Sequence, residues 1–399
     1  MVNVFTTTGR HAVPRFLSIP GVLCVLLLLV AGCASTPEER EQAGKALKLP
    51  DFERRVRLDS SWRRDIGKGQ GGFYNRLAPS TDDAGICVAS IEGKLGCYTG
   101  QGKKSWRKKL GHALSAGAGI AADLVLVASS DGEVIALSRE NGDERWRRDL
   151  GGEVLAPPQG DAGVVVVQTA DGRLTGLAAT DGKKLWQHKN DEPILTLRGT
   201  ATPVVADGIV YTGFASGKLV AIDLETGSLQ WDQLVALASG TAEIEKLVDV
   251  DASPHVTEEI VYATSFNGNL FAFARANGRA LWRFPSSSYR EVDEGFGHVY
   301  MADEKGRVYS INARDGEQRW EQSAFVNREL SSPVVFSGYL VIGDDDGYLH
   351  VLSQIDGSVV GRARIDGSGV RAPMRVVEDQ LIVYSNAGKL AAYTLRAVD

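Results

Sequence analysis

The chain has few of the residues that build metal and catalytic sites. Its 399 residues include 4 cysteines, 3 methionines and 6 histidines. The histidines are scattered singly, without a partner at the spacing of zinc ligands, which argues against a zinc site. No G-x-S-x-G segment or comparable nucleophile motif occurs in the sequence. We therefore predict a protein that is not an enzyme and that holds neither a metal nor a cofactor.

The chain also lacks long helical periods and an excess of positive charge. Its repeating part contains no extended run of apolar residues at helical spacing. The formal net charge is −6, and removal of residues 1–32, which hold two arginines and no acid, leaves 42 basic against 50 acidic residues, a charge of −8. A mildly acidic chain is a poor nonspecific partner for nucleic acid, so we predict no nucleic-acid function.

The apolar segment near the N-terminus is too short for a comfortable membrane span. Arg10 and Arg15 precede residues 22–29, an apolar run typical of a signal peptide. The run leads into VAGC at residues 30–33, which resembles a bacterial lipobox. This resemblance implies cleavage after residue 32 and acylation of Cys33, and several acyl chains anchor more firmly than one. The alternative is an ordinary secretory signal that is cut at the small residues nearby.

The sequence therefore predicts three segments. Residues 1–32 form the signal peptide, residues 33–50 the acylated cysteine and a flexible tether, and residues 51–399 the folded domain. Ala34 follows Cys33 in place of the Asp that is associated with inner-membrane retention. By resemblance to such lipoproteins, this favours an outer-membrane anchor with the domain facing the periplasm.

Glycine turns recur through the folded part at intervals of 38 to 51 residues. Six of the seven tryptophans follow one of these glycines by 13 or 14 residues. A repeat of about 40 residues with several short strands is typical of a β-propeller. The turn glycines are Gly93, Gly132, Gly172, Gly217, Gly268, Gly306, Gly347 and Gly388.

Each repeat carries signals for four short strands. In the second repeat, Val125–Val127 and Val134–Leu137 are strand-like and flank the hairpin signal Asp131-Gly132. A second turn at Asn141-Gly142 leads into the tryptophan-bearing strand. A small-residue and proline segment precedes each apolar run, as at residues 201–205, and supplies a fourth strand. We predict an all-β fold, an eight-bladed β-propeller of quinoprotein-like type with four-stranded antiparallel blades.

Two repeats are incomplete, and the start of the domain supplies the missing part. The seventh repeat has Gly361 where Trp is expected, and the eighth stops at Asp399 before its tryptophan-bearing strand. Residues 61–67, SWRRDIG, match WRRDLG at residues 146–151. We predict that this N-terminal strand completes the last blade and closes the ring, which also removes exposed sheet edges.

The tryptophans and two cysteines have simple structural interpretations. We expect the indoles to pack between neighbouring blades, where loss of a buried one costs roughly 3–5 kcal/mol. Cys87 and Cys97 fall on adjacent strands on either side of Gly93. In an oxidising periplasm they are consistent with a cross-strand disulfide and equally with two small buried apolar residues.

Three segments suggest cofactor or metal chemistry that their context does not support. Gly67–Gly72 fits G-x-G-x-x-G but lacks the preceding apolar strand and the following helix of a dinucleotide site. Asp344–Gly347 suggests calcium, yet it occupies the hairpin position of Ser129–Gly132, so we predict a solvated turn. Residues 221–231 resemble the tryptophan-docking motif of quinoprotein dehydrogenases, which bind pyrroloquinoline quinone and calcium at the ring axis. The chain lacks the adjacent Cys-Cys pair and the greater length usual in those enzymes.

From Cys33 to Asp399 the chain resembles the BamB family, the propeller lipoproteins of the outer-membrane β-barrel assembly machinery. Three stretches carry the resemblance beyond the repeats. Residues 66–79 resemble the segment after the family's N-terminal strand, with Lys and Gln among the glycines as a departure. Residues 193–199, PILTLRG, resemble its leucine–arginine loop, and residues 239–251 resemble its long loop ending in D-V-D.

The resemblance implies a noncatalytic scaffold that binds the periplasmic POTRA domains of BamA and assists insertion of β-barrel proteins. Unfolded outer-membrane protein clients are a further expected partner, through strand addition at blade edges or loops. The implied docking residues are Leu195, Leu197, Arg198, Asp249 and Asp251. The alternative is that the two leucines belong to the core and that Arg198 pairs internally with one of the acids. Other functions left open are a periplasmic quinoprotein-like enzyme and a propeller adaptor for another envelope partner.

Overall fold

The strand signals of each repeat form one antiparallel sheet. The computed structural model describes residues 46–71, 75–193, 195–197, 199–237 and 246–398. In these ranges the strands make eight four-stranded sheets, the blades, whose first strand is innermost and whose fourth is outermost. The eight-bladed, four-stranded propeller is therefore confirmed.

The first four blades contain strands β2 to β17. Their bounds are β2 (Ser80–Asp82), β3 (Gly85–Ala89), β4 (Lys94–Tyr98) and β5 (Lys104–Lys109) in blade 1; β6 (Ala116–Ala121), β7 (Leu124–Ala128), β8 (Glu133–Ser138) and β9 (Glu144–Asp149) in blade 2; β10 (Gln159–Asp161), β11 (Val164–Gln168), β12 (Arg173–Ala178) and β13 (Lys184–Lys189) in blade 3; and β14 (Val204–Ala206), β15 (Ile209–Gly213), β16 (Lys218–Asp223) and β17 (Leu229–Leu234) in blade 4.

The last four blades contain the remaining strands, and blade 8 includes the first strand of the domain. Their bounds are β18 (His255–Val256), β19 (Ile260–Thr264), β20 (Asn269–Ala274) and β21 (Ala280–Pro285) in blade 5; β22 (Asp293–Gly295), β23 (His298–Ala302), β24 (Val308–Asn312) and β25 (Gln318–Gln322) in blade 6; β26 (Val334–Phe336), β27 (Tyr339–Gly343), β28 (Tyr348–Ser353) and β29 (Val359–Arg364) in blade 7; and β30 (Arg375–Val377), β31 (Gln380–Tyr384), β32 (Lys389–Ala397) and β1 (Val56–Asp65) in blade 8.

The N-terminal strand closes the ring, as predicted. Strand β1 is the outer strand of blade 8 and pairs antiparallel with β32. Their register runs from Val56 opposite Ala397 to Asp65 opposite Lys389, with one irregularity between Ser60 and Trp62. Because the two ends of the domain share one sheet, blade 8 is complete only when β1 pairs with β32.

The core lies between blades. In the described part of the chain, buried apolar side chains form eight clusters, and each draws on two neighbouring blades. The second strands are almost wholly buried because both of their faces are covered, as in Val164–Gln168, where every residue is buried. Outer strands such as Lys184–Lys189 alternate between exposed residues and a buried tryptophan.

The tryptophans lie at the seams between blades, as predicted. Each indole Nε1 donates a hydrogen bond to a backbone carbonyl of the next blade, over 2.7 to 3.0 Å. The pairs are Trp62 with Gly100, Trp106 with Arg139, Trp146 with Ala179, Trp186 with Leu224, Trp231 with Arg275, Trp282 with Ala313, and Trp320 with Gln354.

The seam between blades 7 and 8 is built differently. Gly361 occupies the tryptophan position of β29, and a Cβ there would lie 2.8 Å from the backbone oxygen of Val56. The amide of Arg55 donates to the carbonyl of Val360 over 2.8 Å. A side chain at position 361 would collide with the entering N-terminal segment, so the missing tryptophan is a consequence of ring closure.

Part of the predicted tether lies against the propeller. The compact unit of the chain begins at Ala46. The amide of Leu47 donates to the carbonyl of Val326 over 3.3 Å, and Arg362 donates to the carbonyl of Pro50 over 3.2 Å. The Arg362 guanidinium also lies 4.8 Å from the centre of the Phe52 ring. Residues 46–50 thus have defined contacts, while residues 1–45 lie outside the described residues.

The turn at residues 344–347 is a hairpin, but the prediction that it is solvated fails for Asp344. Its carboxylate is fully buried and lies 2.9 Å from Nε2 of His350 and 3.4 Å from Nη1 of Arg328. Burial lowers the pKa of His350. The acid therefore belongs to a buried polar network rather than to a calcium loop.

Among the described residues, no helix combines the length and the apolar character needed to cross a membrane.

Candidate functional site

The predicted docking residues lie on two neighbouring connections of the ring. Because successive strands of a blade are antiparallel, every connection from an outer strand to the next inner strand leaves on the same face, here named the connection face. Residues 190–203 join β13 to β14, and residues 235–254 join β17 to β18. The two loops are therefore adjacent, and both are longer than the tight turns inside the blades.

Residues 193–199 are here named the leucine loop, and its described leucines are at least partly exposed to solvent. Leu195 is 50% exposed, and Leu197 is partly exposed. The backbone amide of Leu197 donates a hydrogen bond to Oδ1 of Asp249 over 2.9 Å. Arg198, predicted as a docking residue, lies outside the described residues. The structure thus brings Leu197 and Asp249 together, and Leu195 is the more exposed of the two leucines.

The two acids of the D-V-D segment lie beneath this loop. Asp249 is fully buried and Asp251 is 5% exposed. A Cβ at Gly199 would overlap the carboxylate of Asp251, so the loop can approach this closely only with glycine at position 199. Direct contact with a partner requires exposure, which these acids lack. Their geometry fits the support of the loop that carries Leu195 and Leu197.

Burial shifts the protonation of these acids and of a neighbour. It raises the pKa of Asp249 to about 7, and repulsion from Asp251 adds to the shift. It raises the pKa of Asp251 to about 6, against the opposing charge of Arg76. Glu192, which precedes the leucine loop, also has its pKa raised to about 7 by burial. Close to neutral pH the group therefore holds fewer negative charges than three exposed carboxylates would.

A cavity opens beside these loops. Its volume is about 300 Å³, and its walls include Arg76, Leu197, Tyr289, Glu291 and Arg375. Burial raises the pKa of Glu291, but Arg375, whose Nη1 lies 3.2 Å from Oε2, and Arg76 outweigh it and hold the pKa below its ordinary value. Glu291 and Arg375 were not identified from the sequence, because they meet at the cavity from different parts of the chain and share no spacing. Glu192 was not identified either.

Cys87 and Cys97 are directly opposite each other on β3 and β4. Their Cα atoms are 4.1 Å apart and their sulfurs are joined in the structure. In the described ranges, no group of three or more His, Cys, Asp or Glu is arranged to hold a metal ion. Cys33, the predicted lipidation site, lies outside the described residues.

Comparison with known proteins gives consistent matches over most of the chain. The family model described as outer membrane protein assembly factor BamB matches residues 92–322 and 304–399. The outer membrane protein assembly factor BamB of Pseudomonas aeruginosa is 45% identical over 375 residues, which cover 94% of this chain and 98% of that protein. The crystal structure of BamB from Moraxella catarrhalis has a TM-score of 0.79 at 28% identity and covers 84% of this chain and 99% of that one.

A likeness to quinoprotein enzymes shows the fold alone. The quinohemoprotein alcohol dehydrogenase of Comamonas testosteroni has a TM-score of 0.64 at 12% identity, over 84% of this chain and 76% of that one. In this chain the tryptophan of the shared motif, Trp231, packs at a seam between blades and donates to the carbonyl of Arg275, as predicted for a packing residue.

The closed ring and its paired loops define a propeller scaffold protein. Within that class the match is specific and covers nearly the whole chain. The chain belongs to the BamB family of outer membrane protein assembly factors. The predicted family, the noncatalytic function and the place at the outer membrane facing the periplasm are thereby confirmed. The alternative of a quinoprotein-like enzyme is wrong.

Proposed function

We propose that the connection face docks on the periplasmic POTRA domains of BamA, with Leu195 and Leu197 as apolar anchors. The observation that carries the proposal is the half-exposed side chain of Leu195 on a loop held from beneath by Asp249. Large apolar side chains on a supported loop are suited to burial by a partner. Arg198 is the proposed directional donor beside them, because its guanidinium can bind a carboxylate or carbonyl oxygens of the partner.

In this proposal Asp249 and Asp251 are positioning residues. Asp249 fixes the leucine loop through the Leu197 amide, and Asp251 lies against Gly199 at the end of the same loop. We also propose that Cys33 carries the lipid anchor and that residues 34–45 tether the propeller to the membrane. Contact with unfolded clients at blade edges stays a prediction.

The docking proposal is tested with Leu195→Ala combined with Leu197→Ala. Removing two apolar anchors should weaken binding to the purified periplasmic region of BamA by about 2 kcal/mol, roughly thirtyfold. The measurement is a binding titration, accompanied by thermal melts that establish an intact fold. Leu185→Ala is the matched control, because Leu185 is 51% exposed but lies on β13, away from the loop.

The positioning role has its own readout in the same titration. Asp249→Ala removes the acceptor of the Leu197 amide and should weaken binding, whereas Asp249→Asn keeps an acceptor oxygen and should retain it. Wild-type affinity in the folded leucine variant would place the interface elsewhere on the ring. A large fall in melting temperature would instead assign the leucines to the core.

A further inference from the structure

Charge is distributed unevenly around the outer rim of the ring. The outermost strands of blades 8, 1, 2 and 3, which are β1, β5, β9 and β13, contain 12 basic and 4 acidic residues. The outermost strands of blades 4 to 7 contain 4 basic and 2 acidic residues. We name the first four strands the basic rim. Its positive surplus contrasts with the charge of −8 that remains after removal of residues 1–32.

The basic rim is continuous from blade to blade. In each of three seams a cation on the outer strand of one blade reaches the turn that precedes the outer strand of the next blade. The contacts are Nε of Arg64 with the carbonyl of Gly102 over 2.8 Å, Nζ of Lys108 with Oδ1 of Asp143 over 2.8 Å, and Nε of Arg148 with the carbonyl of Gly182 over 3.2 Å. Two of these acceptors are neutral carbonyls, so the contacts fix the position of Arg64 and Arg148 without cancelling their charge.

Five further cations of the basic rim have no internal partner. All five residues are exposed, and within the described part of the chain none of their side chains makes an ion pair or a hydrogen bond. They are Lys104, Lys109, Arg145, Lys184 and Lys189. Their charge is therefore available to an anionic partner outside the chain.

The arrangement of these five cations favours an extended anionic surface over a single bound anion. Four of them are lysines, whose ammonium groups are point charges on flexible stems, whereas a bound carboxylate or phosphate is held best by converging donors. The five lie on the outer strands of three successive blades and do not converge on one point. Because the chain belongs to a family of outer membrane assembly factors, lipid headgroups are the extended anionic surface closest to it.

We propose that the basic rim lies against anionic phospholipid headgroups of the outer membrane. Basic residues close to such a surface are attracted by its negative potential, and the attraction falls off within about one Debye length. The rim is the circumference of the ring, whereas the leucine loop lies on the connection face, so lipid and BamA can be bound together. The inference goes beyond docking on BamA, because it sets which edge of the ring faces the membrane.

The test measures binding of the chain without its acyl anchor to vesicles. The chain that lacks residues 1–32 and carries Cys33→Ser, here called the parent chain, retains the whole compact unit, which begins at Ala46. It is mixed with vesicles of phosphatidylcholine alone or of phosphatidylcholine and phosphatidylglycerol in equal parts, and the bound fraction is measured after flotation. The parent chain should bind the anionic vesicles and not the neutral ones, and added salt should release it.

A variant of the basic rim tests the residues themselves. Lys104→Gln, Lys109→Gln and Arg145→Gln combined should weaken binding to the anionic vesicles by about tenfold or more, because three free cations are removed. Since all three residues are exposed, the melting temperature should stay that of the parent chain. Lys184→Gln combined with Lys189→Gln repeats the test independently on blade 3.

The matched control removes the same charge from the other half of the ring. Arg283→Gln, Arg314→Gln and Arg319→Gln combined change exposed arginines of blades 5 and 6. This control should bind the anionic vesicles like the parent chain. Equal losses in the rim variant and the control would show that net charge alone governs binding, and the proposal would be wrong.

The remaining outcomes separate the lipid contact from docking on BamA. The rim variant should bind the periplasmic region of BamA with the affinity of the parent chain. If the parent chain binds neutral and anionic vesicles equally, or binds neither, the lipid proposal is wrong whatever happens with BamA. If it binds neither and the rim variant also loses BamA, the basic rim belongs to a protein interface instead.

Discussion

Single residues determine how the blades fit together. Each seam tryptophan joins two blades by packing and by one hydrogen bond from its indole, as Trp186 does with Leu224 over 2.8 Å. Because one such residue occurs in each complete repeat, the sequence pattern alone reveals the fold. Gly361 departs from the pattern for a tertiary reason, the passage of Val56. The sequence shows only that a tryptophan is missing there and gives no cause.

The acids of the docking surface could be predicted only in part. Asp249 and Asp251 are recognised through the D-V-D segment, but their burial is not, because exposure depends on how two distant loops pack. Glu192 carries no local signal, since Glu153 and Asp251, which line the same small pocket, come from other connections of the ring. A repeat in the sequence reflects contacts that recur in every blade. A site that forms only once, from several loops, produces no such repeat.

The pairing of Cys87 with Cys97 is tested directly by their reactivity. We expect the two thiols to be unreactive in the purified chain unfolded without reductant, and reactive after reduction. By closing a short loop, a disulfide contributes about 2.5 kcal/mol on a chain-entropy estimate, so a Cys87→Ala and Cys97→Ala variant should melt several degrees lower. Two free thiols in the unreduced chain would show that the cysteines are simply buried apolar residues.

At the scale of elements, β1 closes the ring. It supplies the outer strand of blade 8, the indole at the seam with blade 1, and the backbone that covers Gly361. The repeat pattern predicts this closure because the eighth repeat ends one strand short. The contacts of residues 46–52 with blade 7 have no such signal, because Leu47 and Phe52 follow no period.

Ring closure is tested by two deletions of similar length. Removing residues 51–65 takes away β1 and its ladder with β32, and should lower the free energy of unfolding by at least the roughly 3–5 kcal/mol of one buried tryptophan. Removing residues 34–45, which precede the compact unit, should leave the melting temperature nearly unchanged. The measurement is thermal unfolding followed by circular dichroism. Equal effects of the two deletions would contradict the shared blade.

At the scale of the whole molecule, the ring is a rigid frame that displays loops on one face. The blades fix the spacing of the connections, and the leucine loop and the D-V-D segment use two neighbouring ones. The side chains that we propose to contact BamA are few, and the buried acids beneath them hold them in place. Such an arrangement fits an assembly factor, whose work is to bind and position other proteins and not to transform a substrate.

Copurification from membranes tests this account most directly. Tagged full-length chain is extracted in mild detergent, and the amount of BamA recovered is compared for wild type, the Leu195→Ala and Leu197→Ala double variant, and Leu185→Ala. The account predicts that BamA accompanies wild type and Leu185→Ala and is largely lost from the double variant, at equal amounts of folded protein. Equal recovery of BamA with all three, or its absence from wild type, would contradict docking through the connection face.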